Sequence, residues 1–465
     1  MPEREAGRLL VRGGTLVTPA GARRADVRCA GGRIAEIGTD LEPRGEPVLD
    51  VGGALVFPGI LDPHLHFALV AAPHRTADDF ASGSAAGLAG GVTTFLDFAH
   101  QHVGESLTAA LEARLEEAAR SRADYSLHLI VTDVSAGQLG ELPALTRRGF
   151  TSAKVYTTYR AAGFYCDDDT LLRLMEAAAA AGWIVMVHCE NDAIVEGARQ
   201  RLLREGRVGF AYHAQSRPVI AEVEAVQRVL LFARATGCAV YPVHLSAGAS
   251  VRLVAAARAE GTRVVGETCP QFLVADDSVY ATDRAARFIH TPPLRSKQDQ
   301  EQLWQALREG GLQTVASDHC GYTLRQRTDY SDLTRVAPGI PGTETLFPLL
   351  YTYGVRAGRL EVSDLARLCC ENPARTFGLF PRKGTVLEGA DGDLVVYDPS
   401  AHGTIDDRSV RSAAGYSPYH GMAVAGRVAA TVLRGEVAYD GTDVTVPAGH
   451  GRLIPRAPVG RAMLP

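Results

Sequence analysis

The chain has 465 residues, of which 46% are apolar and 22% are charged, a composition typical of a soluble globular protein. Its formal net charge of −5 is mild for this length, so we expect neither nucleic acid nor an anionic membrane surface as a partner. The N-terminus is charged and no apolar run approaches about eighteen residues, which predicts a cytoplasmic protein without membrane spans. The 8 cysteines form no Cys-x-x-Cys pair, which favours reduced thiols over disulfides.

The first fifty residues alternate short apolar segments with glycine turns, the pattern of an antiparallel sheet. The same pattern returns in residues 393–397 and 429–437. We therefore predict one small β-sandwich domain built from both chain ends, residues 1–54 and 382–465. The part from about residue 416, rich in glycine and proline, is expected to be a tail or arm rather than core.

Residues 54–67 form an apolar run that ends in Asp62, His64 and His66. The Val, Ile and Phe content predicts a strand that is buried on both faces. Because residues two apart in a strand point the same way, His64 and His66 share a face and could bind one metal ion together. Alone, this spacing is a weak signal.

After this run, apolar strands alternate with stretches whose apolar residues recur every three or four positions, as in surface helices. Eight such units predict a parallel (β/α)8 barrel over residues 55–381. The predicted strands are residues 54–67, 92–97, 126–131, 152–156, 183–188, 239–244, 263–267 and 312–318.

Metal-capable side chains close four of these strands, at the rim where barrel enzymes place their active sites. His64 and His66 end the first strand, His188 the fifth, His244 the sixth and Asp318 the eighth. We expect these side chains to converge on one metal site.

Lys154, on the fourth strand, would have to bury an ammonium group beside the cations of this metal site, which is unfavourable without an anionic partner. The neutral amine can instead add carbon dioxide and become a carbamate, whose two oxygens can bridge two metal ions. We prefer this interpretation to a lysine at a frayed strand end because the histidines are present.

The combined set resembles the amidohydrolase superfamily, and the surrounding sequence resembles its cyclic amidase branch, the D-hydantoinases and dihydropyrimidinases. The likeness extends almost from end to end. The motifs that carry it are Val-Phe-Pro-Gly-Ile-Leu-Asp-Pro-His-Leu-His (56–66), Met-Val-His-Cys-Glu-Asn (186–191), Tyr-His-Ala-x-Ser-Arg-Pro (212–218), Gly-Glu-Thr-Cys-Pro-Gln (266–271), Pro-Pro-Leu-Arg (292–295) and Ser-Asp-His-Cys (317–320).

The resemblance implies two divalent metal ions, zinc above other metals, bridged by Lys154 as N6-carboxylysine. A metal-bridging hydroxide would open a hydantoin or dihydropyrimidine ring to the N-carbamoyl amino acid. Asp318 would be both a metal ligand and the catalytic proton shuttle, and Tyr159 would stabilise the oxyanion. Thr291 takes the place of a ring-binding serine, and Pro338 that of an asparagine whose backbone N–H contacts the ring. A homotetramer is expected.

Residues 67–71 are more apolar than the family pattern. Alanine at position 68 cannot supply the arginine that a dihydroorotase-like enzyme needs for its substrate's carboxylate. We expect an apolar pocket for the exocyclic group of the substrate, favouring bulky or aromatic 5-substituted hydantoins over dihydrouracil. Its predicted walls are Phe67, Leu69, Val70, Tyr156 and Phe164.

Other functions stay open at this point. One is another cyclic amidase, such as an allantoinase-like enzyme. A second is a non-catalytic interaction protein related to dihydropyrimidinases, against which the six ligand-type side chains argue. A third is a mononuclear, deaminase-like relative in which Lys154 stays unmodified.

Overall fold

The computed structural model describes residues 7–71, 73–135, 137–460 and 464–465. The strands of these ranges are β1 (Leu9–Arg12), β2 (Thr15–Thr18), β3 (Gly21–Arg24), β4 (Asp26–Ala30), β5 (Arg33–Gly38), β6 (Val48–Asp50), β7 (Leu55–Pro58), β8 (Ile60–Asp62), β9 (Val70–Ala71), β10 (His74–Arg75), β11 (Val92–His100), β12 (Asp124–Ile130), β13 (Ser152–Tyr156), β14 (Ile184–His188), β15 (Ala239–Pro242), β16 (Glu267–Thr268), β17 (Thr314–Val315), β18 (Leu394–Thr404), β19 (Ala423–Leu433) and β20 (Glu436–Tyr439).

The α-helices are α1 (Phe80–Ala89), α2 (Leu107–Ala118), α3 (Leu142–Arg147), α4 (Asp168–Ala181), α5 (Asp192–Arg204), α6 (His213–Ser216), α7 (Val219–Thr236), α8 (Gly248–Ala259), α9 (Pro270–Val274), α10 (Lys297–Glu309), α11 (Leu324–Thr328), α12 (Leu346–Leu350), α13 (Val362–Ala366) and α14 (Asn372–Thr376). Among the helices in the described ranges, none combines the length and the apolarity needed to cross a lipid bilayer.

The predicted barrel is confirmed. Six parallel strands pair in the order β15-β14-β13-β12-β11-β8, and β16 pairs in parallel with β17. Parallel bridges between Val240 and Val264, and between Leu65 and His319, join these two sheets into a ring. The carboxyl ends of the strands therefore meet at one rim.

The helices follow the predicted pattern of one apolar face. In α4, Leu171, Leu174, Met175 and Ala178 recur every three or four residues and are buried against the barrel. The side chain of Asp167 caps the first turn by accepting from the backbone N–H of Thr170.

The small domain consists of two sheets, ordered β5-β4-β1-β6 and β20-β19-β18-β7-β2-β3, with a separate core rich in valine and leucine. This agrees with the predicted β-sandwich. The prediction of a single strand over residues 54–67 is wrong, because β7 pairs with β18 and β2 in the sandwich whereas β8 begins the barrel. Gly59, between β7 and β8, is packed against Thr93 and Asp393, where a side chain would not fit.

The expectation that the chain becomes an arm from about residue 416 is also wrong. Tyr416 and Tyr419 are completely buried, and β19 lies inside the six-stranded sheet. Farther on, the backbone N–H of Ile454 donates to the carbonyl of Tyr125 at 2.8 Å, so this segment continues along the barrel. Glycine and proline here shape a close-packed segment rather than a free one. The division of the chain after residues 54 and 381 stays a prediction.

A buried ion cluster links the small domain to the base of the barrel. Nζ of Lys383 lies 2.6 Å from Asp124, at the start of β12, and 2.6 Å from Asp393, just before β18. Lys383 is almost completely buried, so the ammonium group depends on these carboxylates.

Candidate metal centre and active site

A cavity of about 180 Å³ lies at the carboxyl ends of the barrel strands. All six predicted metal-binding side chains line it, together with predicted substrate-side residues and several that sequence reasoning did not single out. The lining residues are His64, His66, Leu69, Ala71, Lys154, Tyr156, Tyr159, Ala162, Phe164, His188, His244, His290, Thr291, Asp318, Cys320, Tyr322, Pro338 and Gly339.

The ligand-type groups lie close enough together to bind the same metal ions. One ligand atom each of His64, His66 and Asp318 lies within 4.8 Å of the others. Oδ1 of Asp318 is 3.3 Å from Nε2 of His64 and 3.6 Å from Nε2 of His66. The rings of His188 and His244 are 4.5 Å apart, and the ring of His244 is 5.5 Å from that of His64.

Burial keeps the imidazoles neutral at neutral pH, which is the form that binds metal. It lowers the pKa of His64, His66 and His244 well below the ordinary value of 6.5, and neighbouring cationic groups lower it further. For His188, burial lowers the pKa to about 4, although the carboxylate of Glu190 opposes the shift. Four neutral imidazoles therefore face one cavity.

Lys154 lies between these groups, with Nζ 3.5 Å from Nε2 of His64. Burial lowers the pKa of its ammonium group to about 8, although Glu267 and Asp318 oppose the shift. At pH 7 such a lysine has roughly 10²-fold more neutral amine than an exposed one. The neutral amine is the form that can react with carbon dioxide.

Two buried carboxylates, which the sequence reasoning missed as functional residues, orient the histidines. Oε1 of Glu267 accepts from Nδ1 of His64 at 2.8 Å and from the backbone N–H of His244 at 2.8 Å. Oε2 of Glu190 lies 2.7 Å from Nε2 of His188. Such partners fix which ring nitrogen faces a metal ion. Glu190 lies in the motif at 186–191 and Glu267 in the motif at 266–271, so the family resemblance in the sequence could have pointed to both residues.

The backbone is strained at three predicted site residues. His244, Asp318 and Tyr159 have left-handed φ angles of 41°, 48° and 68°. Non-glycine residues seldom adopt this conformation, and it persists only where the surroundings enforce it, often at active sites. Here it turns the side chains that follow strands β13, β15 and β17 toward the cavity.

Tyr159, Thr291 and Pro338 lie together at the outer side of the cavity. The hydroxyl groups of Tyr159 and Thr291 form a hydrogen bond. These three residues also line a second, larger cavity of about 650 Å³ between α5 and the loop at 333–338. They therefore separate the metal-side cavity from an outer chamber.

The predicted apolar wall is present in part. Leu69, Tyr156 and Phe164 line the cavity, and the ring of His100 stacks on Phe164 at 4.5 Å. The prediction for Phe67 is wrong, because its ring is fully buried against Phe80, Phe95 and His319.

Alternation explains this error. The histidines at positions 64 and 66 face the cavity, so the next side chain, Phe67, points to the opposite face. The prediction for Val70 is not supported either, because 58% of this residue is exposed.

His319, next to Asp318, does not line the cavity, and its ring packs against that of Phe67. Its Nε2 is 3.1 Å from Oδ2 of Asp78, and its Nδ1 accepts from the backbone N–H of Gly342 at 3.2 Å. Both ring nitrogens of His319 therefore form hydrogen bonds within the protein, and neither is free to bind a metal ion.

The donor set fits transition-metal ions. It combines four neutral imidazoles, one carboxylate and a lysine of lowered pKa, and a carbamate on that lysine would add two oxygens. Nδ1 of His244 is buried and has no hydrogen-bond partner among the described residues. His64, His66, His188, His244, Lys154 and Asp318 would hold the ions.

Comparisons with known proteins find relatives along nearly the whole chain. Residues 55–438 match the group described as "Amidohydrolase family". The chain is 36% identical to a D-hydantoinase of Geobacillus stearothermophilus, with 98% of each chain covered. It is also 36% identical to a D-phenylhydantoinase of Escherichia coli, over 97% of this chain and 98% of the relative.

The crystal structure of a dihydropyrimidinase from Brevibacillus agri NCHU1002 superimposes with a TM-score of 0.95 at 34% identity, covering 98% of this chain and all of the other. Together with the barrel and its rim of histidines, lysine and aspartate, these matches show that the chain belongs to the amidohydrolase family.

Proposed function

We propose that this protein is a binuclear metal-dependent hydrolase that opens a hydantoin or dihydropyrimidine ring to the N-carbamoyl amino acid. The observation that carries the proposal is the convergence of six ligand-type side chains on one cavity that also contains Tyr159 and Thr291. The hydantoinase names of relatives that match nearly the whole chain support the same substrate class.

Lys154 would be the group that joins the two metal ions. Its ammonium group would lose one proton, and the neutral amine would then add carbon dioxide, forming one N–C bond at the expense of one C–O π bond and releasing a second proton, so that a buried cation would become a carbamate anion. Metal ions beside Lys154 would favour this exchange, because they repel an ammonium group and attract a carbamate. Zinc suits the mixed nitrogen and oxygen donors of the site.

Two bound divalent ions would supply a water molecule of near-neutral pKa as nucleophile and would polarise the ring carbonyl. Asp318 takes the proton of the attacking water and passes it to the leaving ring nitrogen. Its side chain reaches both His64 and His66, so it stands at the centre of the donor set.

Tyr159 donates a hydrogen bond to the oxyanion that develops on the ring carbonyl. Thr291 holds the phenol in place through the hydrogen bond between the two hydroxyl groups. Pro338 offers a carbonyl but no N–H to the ring, since proline lacks the backbone donor.

The wall formed by Leu69, Tyr156 and Phe164 supports a preference for bulky or aromatic 5-substituents. The polar side chain of allantoin would find fewer partners on this wall, so an allantoinase-like activity is the weaker alternative.

A ring-opening assay over phenylhydantoin, dihydrouracil and allantoin, run with and without a chelator, tests the proposal. We expect turnover that the chelator abolishes and that is fastest on phenylhydantoin. Phe164→Ala should reduce the preference for phenylhydantoin, whereas Leu387→Ala, which changes a half-exposed leucine far along the chain, should not. Faster turnover of dihydrouracil would refute the substrate preference.

No turnover of any ring by protein carrying two metal ions would refute the activity. Purified protein that binds no stoichiometric metal would favour the interaction-protein alternative. Assembly as a homotetramer is a further part of the proposal and rests on family resemblance alone. Sedimentation equilibrium would test it, and a monomer would refute it.

A further inference from the structure

Arg217 lies behind Tyr159, on the loop between α6 and α7. Its guanidinium carbon is 4.9 Å from the centre of the Tyr159 ring, a distance typical of a cation–π contact. The side chain of Arg217 is only 9% exposed. The guanidinium group of Arg217 thus lies against the ring of Tyr159, whose hydroxyl group is hydrogen-bonded to Thr291.

Glu190 connects this arginine to the metal side of the cavity. Its Oε2 accepts from Arg217 at 2.9 Å and lies 2.7 Å from Nε2 of His188. One carboxylate oxygen therefore contacts both the guanidinium group and a proposed metal ligand. Glu190 is fully buried.

The loop that carries Arg217 is itself fixed. Arg295 donates to the backbone carbonyl of Arg217 at 2.5 Å and to the hydroxyl of Ser246 at 3.0 Å. The guanidinium group of Arg217 therefore approaches the ring from an anchored backbone.

From these contacts we infer that Arg217 is a positioning residue that acts through Tyr159 on the oxyanion and, through Glu190, on the orientation of His188. The inference rests on the proposed function, since it assigns a role within the same site. A buried ion pair is often no more stabilising than an apolar pair of similar size, so stability alone does not explain its presence beside the phenol.

A double-mutant cycle between positions 217 and 159 tests the inference. Tyr159→Phe removes the hydroxyl group and should lower kcat by roughly 10²–10³. Arg217→Met should lower kcat by roughly 10², with little change in KM. The displaced phenol of Tyr159 would no longer donate to the oxyanion, which develops only in the transition state. In the Tyr159→Phe background, Arg217→Met should lower kcat by a clearly smaller factor, because only its effect through Glu190 on His188 remains.

Two further variants separate positioning from loss of structure. Arg217→Lys keeps the charge but loses the planar fork, and it should lose less activity than Arg217→Met. Arg228→Met removes a partly exposed arginine that pairs with Asp168 and Glu224, so it controls for the loss of an ion pair alone. We expect wild-type kcat for this control.

A readout independent of turnover tests the connection to His188. Glu190→Gln should weaken zinc binding about 10- to 100-fold in a chelator competition, the usual effect of removing the hydrogen-bond partner of a metal-binding histidine. Thermal denaturation should show that both Arg217 variants are folded. If Arg217→Met is unfolded, the Lys variant and its cycle with Tyr159→Phe decide the question.

Three results would overturn the inference. Equal losses from Arg217→Met in both backgrounds would show that Arg217 does not act through Tyr159. Wild-type kcat in Arg217→Met would do the same, and wild-type zinc affinity in Glu190→Gln would remove the connection to His188. A wild-type protein that opens no ring would refute the proposed function and the Tyr159 part with it, while the zinc competition would still decide the Glu190 part.

Discussion

Replacing Glu267 by glutamine is predicted to weaken metal binding without unfolding the protein. The carboxylate of Glu267 is fully buried and accepts from three donors at 2.8 Å: Nδ1 of His64, the backbone N–H of His244 and the hydroxyl of Tyr241. Glutamine keeps one oxygen for the first two donors. Its amide group can donate to the hydroxyl of Tyr241, which also contacts Thr314 at 2.7 Å.

The expected loss follows from the charge that is removed. Partners of metal-binding histidines are worth about 10- to 100-fold in metal affinity, or roughly 1.4–2.7 kcal/mol. Glu267→Ala would instead leave two buried donors, Nδ1 of His64 and the backbone N–H of His244, without an acceptor, at about 1–3 kcal/mol each. The sum of roughly 2–6 kcal/mol reaches into the range of the whole stability of a typical domain, about 5–15 kcal/mol. The alanine variant is therefore expected to unfold or aggregate.

Equilibrium competition with a chromophoric zinc chelator measures the affinity, and thermal denaturation reports stability. Glu309→Gln, at an exposed position at the end of α10, is the matched control and should bind zinc as the wild type does. Zinc affinity within twofold of wild type for Glu267→Gln would refute the claim that this carboxylate orients the histidines.

Three further predictions concern Lys154, Tyr159 and Lys383. Because the pKa of Lys154 is lowered to about 8, raising the pH from 6 to 8 increases the neutral amine, so zinc reconstitution with bicarbonate should become faster; a rate that is independent of both pH and bicarbonate would contradict this. Tyr159→Phe should lower kcat on phenylhydantoin by roughly 10²–10³ at unchanged zinc content, and a loss below about tenfold would exclude the proposed oxyanion role. Lys383→Met leaves the carboxylates of Asp124 and Asp393 buried with one cation fewer, so the free energy of unfolding measured in urea should fall by about 3–5 kcal/mol; a loss below about 1 kcal/mol would show that the cluster is not needed.

The barrel, and the convergence of six ligand-type side chains at its rim, could be predicted from sequence because each rests on a short-range rule. Alternation places His64 and His66 on one face, and polar residues that end parallel strands converge at one rim. The same alternation rule, applied to Phe67, would have placed its ring in the core. That error came from reading the apolar segment 67–71 as one surface.

Other features depend on long-range contacts that no local pattern reveals. The change from sandwich to barrel at Gly59 depends on packing against Thr93 and Asp393. The buried path of the chain after Tyr416 depends on contacts with distant barrel residues such as Tyr125. Composition alone made this segment look like an arm.

The roles of Glu190, Glu267 and Arg217 could be assigned only from the structure. Their motifs were visible in the sequence, but their hydrogen bonds join different strands and loops across the cavity. A sequence motif marks such residues without saying which ligand they orient.

The proposed mechanism depends on a carbamate on Lys154 that bridges two metal ions. A crystal structure of the zinc-loaded protein, with an anomalous difference map at the zinc edge, would show this group. We expect two zinc peaks among the four histidines and Asp318, with density for a carboxylate extending from Nζ of Lys154 to both. A single peak beside His64, His66 and Asp318, with an unmodified lysine, would contradict this mechanism and favour the mononuclear alternative.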